Sequence, residues 1–242
     1  GVVWRYVNDE LDTYVAVKTL SNEQFREPIR RDQFRQELKA IERLRHQYIA
    51  AFRSLEIVNN RFFMIMEYVP GSTLNNLPAF HISPLPVDDA VRHVRELAEA
   101  LGYAHRKRVI HRDVKPPNIM VQRSSIALLD FGLARLTPRD GESHPAIRGG
   151  GTPGYMSPEQ IEGPHGDERS DVWAAGLVLF ECLVGRKAFV GSPSDMMAAT
   201  LAIDERPLEI PGHVPKRLRA LIASSTRRDP AARPQSMDDV LR

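Results

Sequence analysis

The chain has 242 residues, 42% of them hydrophobic and 26% charged, enough apolar material for a proper core in one domain or two lobes. Its 33 basic and 31 acidic residues leave a net charge of +2, so there is no electrostatic case for a nucleic-acid partner or an acidic membrane surface. Cys182 is the only cysteine, which rules out an intrachain disulfide, and no apolar run approaches the length that spans a bilayer. A reducing, cytoplasmic setting is the expectation for this domain.

In chain order, residues 2–6 and 13–20 are β-branched and aromatic and predict two strands around the polar turn Asn8-Asp9-Glu10. Residues 32–45 predict a helix, because Phe34, Leu38, Ile41 and Leu44 recur at helical intervals. Residues 52–58 and 62–68 predict two more strands. After Pro70-Gly71 the pattern turns mainly helical. Residues 87–105 carry Val91, Val94, Leu97, Leu101 and Ala104 on one face. Short apolar runs follow at 109–110, 119–121 and 127–129. The Gly-, Pro- and charge-rich stretch 136–151 predicts a mobile loop. Residues 171–184 are apolar on nearly all sides, as in a helix buried in a core. Residues 215–224 and 236–241 predict late helices. The whole reads as α+β: a small β lobe with one helix (1–66), a hinge (67–71) and a larger helical lobe (72–242).

The chemistry concentrates in His111-Arg112-Asp113-Val114-Lys115-Pro116-Pro117-Asn118, followed after eleven intervening residues by Asp130-Phe131-Gly132. Two acids, a lysine and a carboxamide at this spacing form a phosphoryl-transfer kit. Its transition state spreads negative charge over oxygens, so a protein must supply metal ligands, a cation and an acceptor for the incoming hydroxyl proton. Asp130 and Asn118 suit the metal, Asp113 the proton, and Lys115 the transferred phosphate. Alone, Asn118 reads equally as a turn asparagine after two prolines, and Asp130 as a strand-end acid.

Four further blocks keep the same order: Val15-Ala16-Val17-Lys18, Ser157-Pro158-Glu159, Ser170-Asp171-Val172-Trp173 with Gly176, and Asp229-Pro230-Ala231-Ala232-Arg233-Pro234. Together the six blocks resemble the protein kinase family over nearly the whole chain. Lys115 two residues after Asp113, and the run from Gly151-Thr152 to Gln160, resemble the serine/threonine type and its bacterial, eukaryotic-like (Hanks-type) branch. Val114 and Ser157 depart from the commoner leucine and alanine.

The resemblance implies a two-lobed kinase fold with ATP and Mg2+ (or Mn2+) in the cleft, and a protein substrate. It implies Asp113 as catalytic base. Lys18 would hold the α- and β-phosphates and pair with Glu37, with Glu42 as the neighbouring alternative. Met66 would be the gatekeeper, with the Glu67 carbonyl and Val69 amide on adenine. Val3, Ala16 and Met120 would sandwich the purine, although ordinary core packing accounts for them equally. Only the end of a glycine loop is represented, by Gly1-Val2-Val3, so the chain reads as truncated at its start; it also stops inside an expected final helix. Phe131 belongs to the regulatory D-F-G element. Arg112 would grip an activation-loop phosphate. The usual acceptor position is Arg148, which leaves Thr137, Ser143 and Thr152 as hydroxyls for control or self-phosphorylation, the latter through self-association. Glu159 and Arg233 would form a buried ion pair, and Asp171 would open the central helix. A pseudokinase scaffold and a small-molecule phosphotransferase are the rival readings.

Overall fold

The computed structural model describes residues 3–8, 13–20, 38–59, 61–78, 80–131, 135–136, 152–163 and 166–242. Strands β1 (Val3–Asn8), β2 (Thr13–Leu20), β3 (Phe52–Val58) and β4 (Arg61–Glu67) form one antiparallel sheet in the order β1-β2-β4-β3. β1 runs two residues further than its predicted end at Tyr6. The reason is the ladder: Val7 faces Tyr14 and Asn8 faces Thr13, so Asn8 belongs to the strand. Helix α1 is described over residues 38–42. It ends before the expected residue 45, where the Arg45 guanidinium donates to the Glu42 and Leu44 carbonyls at 2.7 and 2.9 Å and satisfies the terminal acceptors.

Beyond the hinge come β5 (Ser72–Thr73), α2 (Val87–Arg106), β6 (Val109–Ile110), β7 (Ile119–Val121), β8 (Ile126–Leu128) and β9 (Arg135–Leu136). β5, β7 and β8 make a small sheet, and β6 pairs with β9. Four helices follow: α3 (Pro158–Glu162), α4 (Glu168–Val184), α5 (Pro193–Leu201) and α6 (Lys216–Ser225), with the short α7 (Met237–Val240) at the end. The periodicity did not predict α3 and α5. Both start at a proline with Ser-x-x-Gln or Ser-x-x-Asp before it, a capping pattern that sequence alone can show.

The core is organised on α4. Trp173, Leu177, Val178 and Phe180 are fully buried, which explains the absence of a polar face on this helix. α4 starts three residues before the expected Asp171, because the Asp167 side chain accepts from the Arg169 N–H and caps it. Gly176 lets α6 approach: a Cβ there would lie 2.6 Å from Ser225 Cβ. The two sheets are linked through the loop after α1. Ala50 N–H donates to the Leu128 carbonyl at 3.0 Å, and Leu128 N–H to the Tyr48 carbonyl at 2.8 Å. This ties the upper lobe to β8, two residues before Asp130. Among the described residues no helix is long and apolar enough to cross a membrane.

Candidate active site

The loop between β6 and β7 carries the catalytic candidates, and α4 holds it from below. Asp171, fully buried, accepts from His111 N–H at 2.9 Å and from Arg112 N–H at 2.8 Å. It also takes a hydrogen bond from His105 Nε2 at 2.8 Å. Burial alone would push this carboxyl up, yet His105 and the two amide contacts hold it below the ordinary range. Arg112 consequently sits in the left-handed region, at φ 64°. This is the strain expected where surroundings over-determine a backbone.

His111 connects the two motifs. Its Nε2 lies 2.8 Å from the Leu129 carbonyl and must donate. Nδ1 is therefore the acceptor, and takes the Asp113 N–H at 3.3 Å. The Phe131 ring stands edge-on to the imidazole at 4.6 Å. The two halves of the site are thus set against each other by one histidine.

Asp113 is buried and nearly saturated. Its Oδ1 accepts from the Thr152 hydroxyl at 2.9 Å; its Oδ2 meets Lys115 Nζ at 2.6 Å and Asn118 Nδ2 at 3.2 Å. Lys115 Nζ also donates to Thr152 Oγ1 at 2.5 Å, closing a triangle. Asn118 Nδ2 spends its other hydrogen on the Asp113 carbonyl at 2.8 Å, which leaves Oδ1 as its side-chain acceptor. A carboxylate offers about four acceptor positions, so one remains on Asp113 for an incoming hydroxyl.

Asp130 is also left-handed, at φ 67°. Its Oδ2 accepts from Lys18 Nζ at 2.5 Å, while Oδ1 is buried with no hydrogen-bond partner among the described residues. An orphaned carboxylate oxygen is costly unless something satisfies it. Asp130 Oδ1 and Asn118 Oδ1 are both oxygen donors of the kind a magnesium-type ion takes. Lys18 is aligned by β2, where it faces Met64 on β4 and Val3 on β1. Ala16, two residues away on the same face, pairs with Met66. Glu67 closes the strand: its N–H donates to the Ala51 carbonyl at 2.8 Å, and its carboxylate accepts from Ala51 N–H at 3.0 Å. Val69 is buried and Met120 half-buried on β7.

The remaining sites divide. Arg233 donates to both oxygens of Glu159 at 2.8 Å, and the Arg112 guanidinium donates to the Gly166 carbonyl at 2.8 Å. Gly1, Glu37, Thr137, Ser143, Arg148 and the loop before Thr152 lie outside the described residues. Sequence reasoning missed His105, the third partner of Asp171. It also missed Gln160, whose side chain bridges the Ser157 N–H at 2.9 Å and the Arg112 carbonyl at 3.1 Å. The Ser-x-x-Gln spacing signals the first of these contacts; nothing local signals His105.

A four-stranded antiparallel sheet with a lysine on it reaching an aspartate of the mainly helical part is the architecture of a two-lobed kinase domain. The chain belongs to the protein kinase domain family, whose pattern matches residues 1–242. It is 32% identical to the serine/threonine-protein kinase PknD of Mycobacterium tuberculosis over 246 residues, covering 99% of this chain and 36% of that protein. It is 33% identical to pkn3 of Myxococcus xanthus over 252 residues (98% and 46%) and 32% identical to PrkC of Bacillus subtilis over 241 residues (95% and 36%), both named serine/threonine-protein kinases. The chain thus spans well under two thirds of these relatives' length.

Proposed function

We propose that this chain transfers the γ-phosphate of Mg-ATP to serine or threonine hydroxyls of proteins, in bacterial phospho-signalling. The observation that carries it is the triangle of Asp113, Lys115 and Thr152, with Asn118 closing its underside. Bound Mg2+ would neutralise charge on the phosphates, held by Asp130 and Asn118. Asp113 uses its last acceptor position to orient the substrate hydroxyl and take its proton late in the transfer. Lys115 sits beside Asp113 and offers its cation to the phosphoryl oxygens. Lys18 exchanges its contact with Asp130 for the α- and β-phosphates, with Glu37 as its helix partner. The face carrying Val3, Ala16 and Met66 and the hinge groups of Glu67 and Val69 seat the adenine. Thr137, Ser143 and Thr152 are the candidate hydroxyls for self-phosphorylation, and Arg112 the candidate phosphate grip.

The presence of Lys18, Asp113, Asn118 and Asp130 in the sequence, and relatives named as serine/threonine-protein kinases, support transfer over a scaffold without it. The test is radiolabel transfer from ATP to a generic protein substrate by the full-length protein, wild type against Asp113→Asn. Loss of about 10²-fold or more is expected in the variant; equal signals from both would sink the assignment.

A further inference from the structure

Glu181 of α4 is a buried carboxylate, 2% exposed, that no step of the transfer uses. Its Oε2 accepts from the Tyr155 hydroxyl at 2.9 Å and lies 2.8 Å from His81 Nε2. Tyr155 continues this line toward the active site. Its own N–H donates to the Thr152 carbonyl at 3.0 Å, and the Met156 N–H reaches the same oxygen at 3.3 Å. That turn presents the Thr152 hydroxyl to Asp113 Oδ1. His81 has φ 62°, a left-handed conformation uncommon for a residue with a side chain. Its ring stacks at a tilt on Phe80, 4.3 Å away, and Leu85 N–H anchors the same loop to the Cys182 carbonyl at 2.7 Å. A strained residue held this firmly, on a carboxylate shared with the active-site turn, invites a functional reading.

We propose that His81 is a positioning residue for the transfer reaction: its hydrogen bond to Glu181 sets the Tyr155 hydroxyl, and through it the turn that holds Thr152 against Asp113.

Among the described residues, the groups facing His81 and Glu181 include the Ala188 backbone, which also hydrogen-bonds Glu181. Glu181 and the buried Cys182 thiol come from α4, Tyr155 from the turn, and Phe80 from the loop itself; the Arg186 guanidinium lies over the Phe180 ring instead, 5.3 Å away. Burial pushes the Glu181 carboxyl up, while His81 and Tyr155 pull it down. Without His81 the carboxyl takes up a proton at higher pH. A neutral Glu181 holds Tyr155 less firmly, so the acid limb of activity moves to higher pH.

The activity readout rests on the proposed function, and a second readout does not. Wild type, His81→Ala and His81→Gln are compared in the full-length protein; glutamine restores a donor near the Nε2 position. In the alanine variant kcat/KM for protein substrate falls about tenfold with KM for ATP unchanged, and glutamine recovers it to within about threefold. The acid limb moves up in the alanine variant only. Amide hydrogen exchange across residues 152–157 quickens in the alanine variant and stays near wild type in the glutamine variant. Unchanged kcat/KM in an active alanine variant overturns the proposal, as does unchanged exchange. A wild type that transfers no phosphate, with the exchange difference intact, overturns the proposed function and leaves the His81 contact standing. If the alanine variant does not fold, Tyr155→Phe, which breaks the same link at its other end, must show the faster exchange across residues 152–157; wild-type exchange there overturns the proposal.

Discussion

Arg233 and Glu159 are 74 positions apart in sequence, yet the guanidinium of one grips both carboxylate oxygens of the other at 2.8 Å. The pair has no loose ends. Arg233 Nε donates to the Arg227 carbonyl at 2.7 Å, Nη2 to the Arg228 carbonyl at 2.8 Å, and the group lies over the Trp173 ring at 5.1 Å. Ser170 Oγ donates to Glu159 Oε1 at 2.7 Å. The ion pair therefore pins the start of α3, the start of α4 and the segment before α7 to one point.

Arg233→Ala leaves the half-buried Glu159 with Ser170 but no cation, and opens a hole in place of the buried guanidinium, which costs about 3 kcal/mol or more. For a chain of this size the melting temperature is expected to fall by roughly 6 °C or more. Thermal denaturation followed by circular dichroism checks it; an unchanged midpoint counts against the energetic role of the pair.

Thr152→Val removes the hydroxyl between Asp113 and Lys115 and leaves the buried Asp113 one hydrogen bond short, worth roughly 1–3 kcal/mol, though its ion pair with Lys115 remains. kcat is expected to fall about tenfold and the melting temperature by roughly 2 °C or more, and Thr152→Ser is expected to restore both. Steady-state kinetics decides. A valine variant as fast as wild type would show that the triangle does not orient the base.

Metal removal tests the orphaned Asp130 oxygen. In wild type, Mg2+ is expected to tighten ATP binding at least about tenfold over binding in chelator. Asp130→Ala is expected to abolish that difference while ATP alone still binds. Calorimetric titrations with and without Mg2+ measure both; a variant that keeps the full metal effect would place the ion elsewhere.

Stability is expected to fall on acidification through Glu159 and Asp171. Burial pushes each carboxyl up, but Arg233 and Ser170 hold Glu159, and His105 and the backbone amides hold Asp171, below the ordinary value. A depressed carboxylate binds its proton less well folded than unfolded. Its stabilisation is complete above the ordinary carboxylate pKa of about 4 and is lost as pH falls through the folded value. The melting temperature should therefore drop below about pH 4, and drop less in Glu159→Gln. A midpoint flat down to about pH 3 would contradict the assignment.

Much of the site was legible because its chemistry is local. Asp113, Lys115 and Asn118 lie within six positions, and a loop that short brings them together in almost any fold. The strand pattern around Lys18 also placed Ala16 and Lys18 on one face, since side chains alternate with period two. Helix starts were less legible: α4 begins at Glu168 because Asp167 caps it, a contact that hydrophobic periodicity does not register.

The sequence by itself determined the fold class, the order of the motifs and the candidate reacting groups, because spacing and residue type carry that information. Only the tertiary structure decided who touches whom. Lys18 meets Asp130 across 112 positions, Thr152 meets Asp113 across 39, and His105 meets Asp171 across 66. None of these pairs has a local signature. Each exists because burial of α4 and the link between β8 and the loop after α1 bring distant backbone within hydrogen-bond reach. In that setting an unpaired buried polar group is costly, and the partner it finds is set by packing rather than by sequence distance.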